Sequence, residues 1–231
     1  MKRIKLPILV HSGLKPVVTQ SYGNKAMVDF YKQKGINIPL HHGVDITLDG
    51  TNRQTYGTAI VTPSEGWTVT ARFWYSPMDL KGNGIVIQSP EFEEDGVKKV
   101  IELRFTHCSE VPDVKGKLPA KTVIGYIGNS GVVYPQPTPQ KPYDGTHVHI
   151  GMMEYIVGTN GELVLQNANN GVYGLIDPLS RIDITWYDTA PDTPVEQDRY
   201  PLDWSIKKLG LESAWDKIKY VLSIVFPGFK I

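Results

Sequence analysis

Asp144-Gly145-Thr146-His147-Val148-His149-Ile150-Gly151 is the stretch on which the reading of this chain turns. Two histidines flank a β-branched residue, and the apolar members Val148 and Ile150 alternate with them. Side chains on a strand point to opposite faces with period two. His147 and His149 therefore project together, while Val148 and Ile150 bury on the other side. Two imidazoles held side by side on a rigid element suit a metal site, and a structural pair is the alternative.

Upstream lies Pro39-Leu40-His41-His42-Gly43-Val44-Asp45-Ile46. Pro39 and Gly43 disfavour a helix, and the β-branched residues that follow favour a strand. Read as a strand, the stretch puts His41, Gly43 and Asp45 on one face and His42, Val44 and Ile46 on the other. Between the two histidine stretches, Ile101-Glu102-Leu103-Arg104-Phe105-Thr106-His107 alternates. Its odd positions form an apolar face that ends at His107, with Cys108 pointing the other way. That opposition sets aside a thiol site made of His107 and Cys108.

Around these stretches the chain is a series of strands, expected at 6–10, 17–21, 59–61, 67–73, 85–88, 99–105, 123–128, 154–157 and 162–166. A short helix is expected over 26–33, and Asp95-Gly96 marks a hairpin. The loop over 132–143 carries Pro135, Pro137, Pro139 and Pro142, a stiffness that suits a wall beside a site. The fold class read from these strands is mainly β over 1–188. A tether with Pro191 and Pro194 follows over 189–201. In the last segment, 202–231, Leu211, Trp215, Ile218, Leu222 and Val225 recur at helical spacing up to Pro227-Gly228. This C-terminal amphipathic helix docks on its own domain or holds a protein partner.

Composition narrows the functions further. Apolar residues make up 41% and charged residues 21% of 231 residues, enough for a globular core. Lys+Arg and Asp+Glu are both 24, a balance that argues against a nucleic-acid partner. A single cysteine excludes an intrachain disulfide. No stretch has the length of a membrane span. Met1-Lys2-Arg3 is basic, but the apolar run after it is short and broken by Pro7, so no signal peptide is expected.

The chemistry falls on His41, Asp45, His107, His147 and His149. Zinc takes imidazole nitrogen and carboxylate oxygen, and a catalytic zinc keeps three protein ligands and one open position. The chain offers that number with histidines to spare, and a spare imidazole can move a proton near neutral pH. No His-Glu-x-x-His helix is present, which excludes the helical zincin arrangement.

These residues resemble a known family. His41-His42-Gly43-Val44-Asp45 matches the His-x-Gly-x-Asp motif of the lysostaphin/LytM-type zinc metallopeptidases, and Gly145-Thr146-His147-Val148-His149 matches their His-x-His motif. Phe105-Thr106-His107-Cys108-Ser109 and the glycine-punctuated run from Gly116 to Gly131 are similar to the segments between. The resemblance covers about 17–178. It implies an antiparallel β fold with a groove (the duplicated hybrid motif), one Zn2+ per chain held by His41, Asp45 and His149, and catalytic roles for His107 and His147. One of these activates water and the other stabilises the oxyanion, in either order. Peptidoglycan peptides are the implied substrate, cut in the stem or the cross-bridge. On the proline loop, Tyr134 and Tyr143 either flank a peptide in the groove or are solvent-edge tyrosines, the default reading. A phage lysin or virion-associated protein acting on the bacterial wall fits this reading. A non-catalytic wall-binding or regulatory module that keeps the fold is the alternative. The family often places an aromatic residue and Glu after His-x-His, where this chain has Ile150 and Gly151. The groups that brace the ligands are therefore expected elsewhere.

Overall fold

The computed structural model describes residues 3–10, 13–26, 28–33, 37, 39–74 and 81–188. The tether and the C-terminal helix expected from the sequence lie outside the described residues. The elements, in chain order, are β1 (Ile4–Lys5), β2 (Leu9–Val10), β3 (Pro16–Gln20), α1 (Val28–Gln33), β4 (Val44–Leu48), α2 (Asn52–Thr55), β5 (Ala59–Val61), β6 (Trp67–Phe73) and β7 (Asn83–Gln88). They continue with β8 (Phe92–Glu94), β9 (Val97–Cys108), β10 (Gly116–Leu118), β11 (Val123–Tyr126), β12 (Val148–Val157), β13 (Leu163–Leu165), β14 (Ile182–Asp183) and β15 (Tyr187–Asp188). The chain is mainly β, and its large sheet is antiparallel throughout, in the order β10-β6-β7-β9-β12-β4-β3. Two short parallel pairs, β1 with β14 and β2 with β15, join the two ends of the described chain.

Alternation decides which face of the sheet is covered. Val44, Ile46 and Leu48 of β4, Ile101, Leu103 and Phe105 of β9, and Val148, Ile150 and Met152 of β12 are all buried in one core. Ile60, Ile124, Leu6 and Ile8 pack into the same core from β5, β11 and the N-terminal segment. Each such side chain contributes about 1.5–3 kcal/mol when fully removed from water. The residues between them on the three strands, Asp45, Thr106 and His149 among them, face the other way. The site is built on that second face.

The helix α2, not anticipated from the sequence, is stabilised by a capping box. The Thr51 side chain accepts from the Gln54 backbone N–H, and the Gln54 side chain reaches back to the Thr51 N–H.

A half-buried ion cluster around the buried Arg181 ties three distant segments together. The Arg181 guanidinium grips both carboxylate oxygens of Glu94 at 2.8 Å and also bonds Glu154. Lys99 Nζ lies 2.9 Å from Glu94 and 3.0 Å from Glu154. Hydrogen bonds from Arg181, then from Lys99, hold the Glu94 carboxyl well below the usual carboxylate range. A depressed carboxylate pKa stabilises the fold above the unfolded value near 4.5, and that contribution is lost as the pH falls below it. Arg181→Met is therefore expected to lower Tm at pH 7 on the order of 5 °C. The gap from wild type should narrow when calorimetry is repeated in acid. An unchanged Tm at pH 7 would mean the cluster contributes nothing to stability.

Candidate metal centre

The site begins with a register. Asp45 of β4 lies directly opposite His149 of β12, and His149 lies directly opposite Thr106 of β9. On the other flank of β4, Gln20 of β3 lies opposite Asp45. Residues directly opposite one another in a ladder share a face, so Gln20, Asp45, His149 and Thr106 form one row across four strands.

His41 reaches this row from a loop. The sequence reading put His41, Gly43 and Asp45 on one strand face, but β4 begins at Val44. His41 is instead fixed by two backbone hydrogen bonds to the turn over 22–24, His41 N to Asn24 O and Gly23 N to His41 O, both 2.8 Å. His42, expected on the opposite face, sets its ring edge-on to His149 with centroids 5.5 Å apart.

His107 required a larger correction. Strict alternation would drive it into the core after Phe105. Instead β9 carries a bulge at this point: two steps on β7, Asn83 to Ile85, are matched by three on β9, Cys108 to Phe105. His107 takes φ +62°, and the faces exchange. Cys108 enters the core, where burial pushes its thiol up to about 12, and His107 joins the site. Ser130 locks the bulge. Its hydroxyl donates to Cys108 O at 2.7 Å and accepts from Asn83 N–H at 2.9 Å, and the Asn83 side-chain amide donates to Cys108 O at 3.2 Å. Gly82 is required beside it, because a Cβ there would lie 2.4 Å from the Ser130 carbonyl.

Three donor atoms converge. His41 Nε2 is 3.0 Å from His149 Nδ1 and 3.2 Å from Asp45 Oδ1, and His149 Nδ1 is 2.9 Å from Asp45 Oδ1. Zinc ligands at about 2.0–2.1 Å in tetrahedral array stand about 3.3 Å apart, so the donor set and its spacing fit a zinc ion. His147 Nε2 is 3.8 Å from the same Asp45 oxygen, and its ring centroid is 4.7 Å from that of His107.

Backbone carbonyls set the tautomers. His41 Nδ1 donates to Ser21 O (3.1 Å), His107 Nδ1 to Ser130 O (2.8 Å) and His147 Nδ1 to Gly145 O (2.8 Å). A carbonyl oxygen only accepts, so each Nδ1 carries a proton, and in the neutral tautomer this fixes Nε2 as the acceptor. Among the three candidate ligands, His41 is the one that such a carbonyl braces.

Burial shapes the charges. It pushes the Asp45 carboxyl up, but the imidazoles of His149 and His41 beside it outweigh burial and hold the group well below its usual range. Burial lowers His107 to about 3, helped by the neighbouring His147 and His149. Burial also lowers His149, against the pull of Asp45, and lowers His42 to about 4. His107 and His149 are thus neutral near pH 7, the form that serves as a ligand or a base.

Above the row lies a cleft of about 330 Å³. Thr19, Gln20, Asn24 and Ala26 line it together with Val132, Val133 and Tyr134 of the proline loop and Asp45, His107, His147 and His149. The proline loop is therefore a wall of the cleft. Asn129 holds that loop by donating to Pro142 O and Asp144 O. Tyr134 stands 66% exposed at the rim. Tyr143 is not among the residues lining the cleft; it packs edge-on against Tyr56, with Arg53 over its ring.

No protein-family profile matches the chain, and no curated protein matches it. Among solved structures, it is similar to a zinc-containing peptidase from Vibrio cholerae, at 16% identity and TM-score 0.44 over 77% of this chain and 40% of that one. It is similar to the antimicrobial peptidase lysostaphin from Staphylococcus simulans, at 19% and 0.42 over 76% of this chain and 52% of that one. A mutant catalytic domain of the prophage-encoded protein EnpA from Enterococcus faecalis overlaps at 22% and 0.37, over 68% of this chain and 92% of that one. The chain thus spans less than two thirds of the first two proteins. These overlaps are partial, and the chemistry of the site stands on its own atoms.

Proposed function

We propose that this chain is a zinc-dependent endopeptidase that cuts peptide bonds in the stem peptides or cross-bridges of peptidoglycan. The observation that carries the reading is the triangle of His41 Nε2, Asp45 Oδ1 and His149 Nδ1, two of whose residues line the cleft, with two carbonyl-oriented imidazoles beside it. The peptidoglycan substrate follows from the motif resemblance. A zinc ion held by the three donors would polarise a scissile carbonyl and make an attacking water more acidic.

The chain's own residues do the rest. With Nδ1 tied to a carbonyl, His107 and His147 each turn Nε2 toward the cleft, and a ring whose Nε2 is bare enters as a base. One takes the proton of the attacking water and passes it to the leaving amine nitrogen, while the other accepts the water's second hydrogen bond. Neither neutral ring has an Nε2–H to give an oxyanion, so a histidine that stabilises one must first take up a proton. The walls of the cleft keep the peptide over these atoms.

Purified protein is expected to carry about one zinc per chain and to clear a suspension of bacterial walls. Mass spectrometry of the released fragments identifies the bond. A folded wild type that binds no metal overturns the enzyme reading. Zinc bound without any cleavage of walls or peptides supports the non-catalytic module instead.

A further inference from the structure

The cleft contains a polar group that the catalytic scheme does not use. The Gln20 side-chain Nε2 is buried and has no hydrogen-bond partner. Buried amide donors are nearly always paired, and one left unpaired costs free energy, so its persistence calls for an explanation. Its place in the fold supplies one.

Gln20 is the last residue of β3, directly opposite Asp45, in the row that continues to His149. It sits there because β3 bulges against β4: Val18 to Gln20 is matched by the single step from Ile46 to Asp45. Thr19 takes up the extra residue, with its hydroxyl 3.3 Å from Asp45 O. Gln20 is among the residues that line the same cleft as His107, His147 and His149.

From this we infer that Gln20 is a substrate-binding residue whose amide donates to a main-chain carbonyl oxygen of the peptide. The inference rests on the peptidase reading of the site. Neighbouring strands lie about 4.8 Å apart, so Gln20 stands about that far from Asp45 along the cleft floor. An extended peptide advances about 3.4 Å per residue. The carbonyl that meets Gln20 therefore belongs to a residue one or two positions from the scissile bond. A main-chain carbonyl is present whatever the side chain, so this contact positions the peptide without selecting its sequence.

The test compares wild type with Gln20→Met, which keeps the length of the side chain and removes the donor. Muropeptides released from bacterial walls by a muramidase serve as substrate, and zinc content and Tm are measured alongside. The expected result is a KM raised about tenfold, with kcat changed far less and zinc retained. Equal KM values overturn the inference, as does a variant that loses zinc together with activity, since that would make Gln20 a support of Asp45. A second measurement does not depend on turnover. In 15N-labelled protein, the Gln20 side-chain amide signals, identified by their loss in Gln20→Met, should shift when pentaglycine or an alanyl-D-alanine stem peptide is added. If wild type cleaves nothing yet these signals shift, the peptidase reading fails and the binding role stands. If cleavage occurs and neither peptide nor muropeptide moves the signals, the binding role fails alone.

Discussion

Replacing His149 by alanine is expected to empty the site of zinc and abolish cleavage, whereas His147→Ala keeps the zinc and still loses activity on the order of a thousandfold. His149 lies on β12 and His147 immediately precedes that strand, yet their atoms are committed differently. His149 gives Nδ1 to the triangle, 2.9 Å from Asp45 and 3.0 Å from His41. His147 spends Nδ1 on the Gly145 carbonyl and keeps Nε2 for the cleft. His107, tied in the same manner to Ser130, should behave like His147. Metal analysis paired with a peptide-release assay separates the two classes. Zinc retained at wild-type affinity in His149→Ala would remove that residue from the ligand set, and full activity in His147→Ala would remove the other from the mechanism.

The second large effect is expected at a residue with no side chain. A Cβ on Gly43 would lie 2.5 Å from Cε1 and Nε2 of His149 and 2.6 Å from the Ile150 carbonyl oxygen. The imidazole could swing aside, but the carbonyl belongs to the paired backbone of β12. Gly43→Ala must therefore displace the His149 ring or spread β4 from β12. Zinc affinity is expected to fall about 10–100-fold, with activity following, and stability to fall by about 1–3 kcal/mol. Titration with a zinc-binding dye and a denaturant melt measure the two effects. Wild-type values in both would show that the space beside His149 is not needed. The glycine of the His-x-Gly-x-Asp stretch is thus explained by close approach.

Much of this could be read from residue patterns, and the failures have physical causes. Alternation places Val148 and Ile150 in the core and His147 with His149 on the open face. It also finds β5, β6, β9, and the hairpin of β12 with β13. At His107 it fails, because a bulge with positive φ leaves almost no mark in sequence when the residue is not glycine. His41 is misplaced because a strand beginning at Val44 looks the same as one beginning three residues earlier. The capping box of Thr51 and Gln54 was present as a signal for α2. The carbonyls of Ser21, Ser130 and Gly145, which orient three imidazoles, belong to the main chain and have no residue signature. Gln20 likewise stands out only once the fold shows its amide buried and unpaired.

The strand order has one further consequence, for how the molecule is made. In the large sheet β12 lies between β9 and β4, although it follows both in the chain. Its ladder to β9 runs from His149 to Ile156, and on its other edge it pairs with β4 from Val148 to Ile150. The two earlier strands cannot be neighbours in the finished sheet, so they wait for an insertion more than a hundred residues after Asp45. Such distant pairing is slow, on the scale of milliseconds to seconds. During synthesis at about 5–20 residues per second, the ribosome releases His41 and Asp45 several seconds before His149. The nascent chain therefore carries no assembled centre until its central strand arrives, and the arrival of that strand closes the sheet and completes the site in one event.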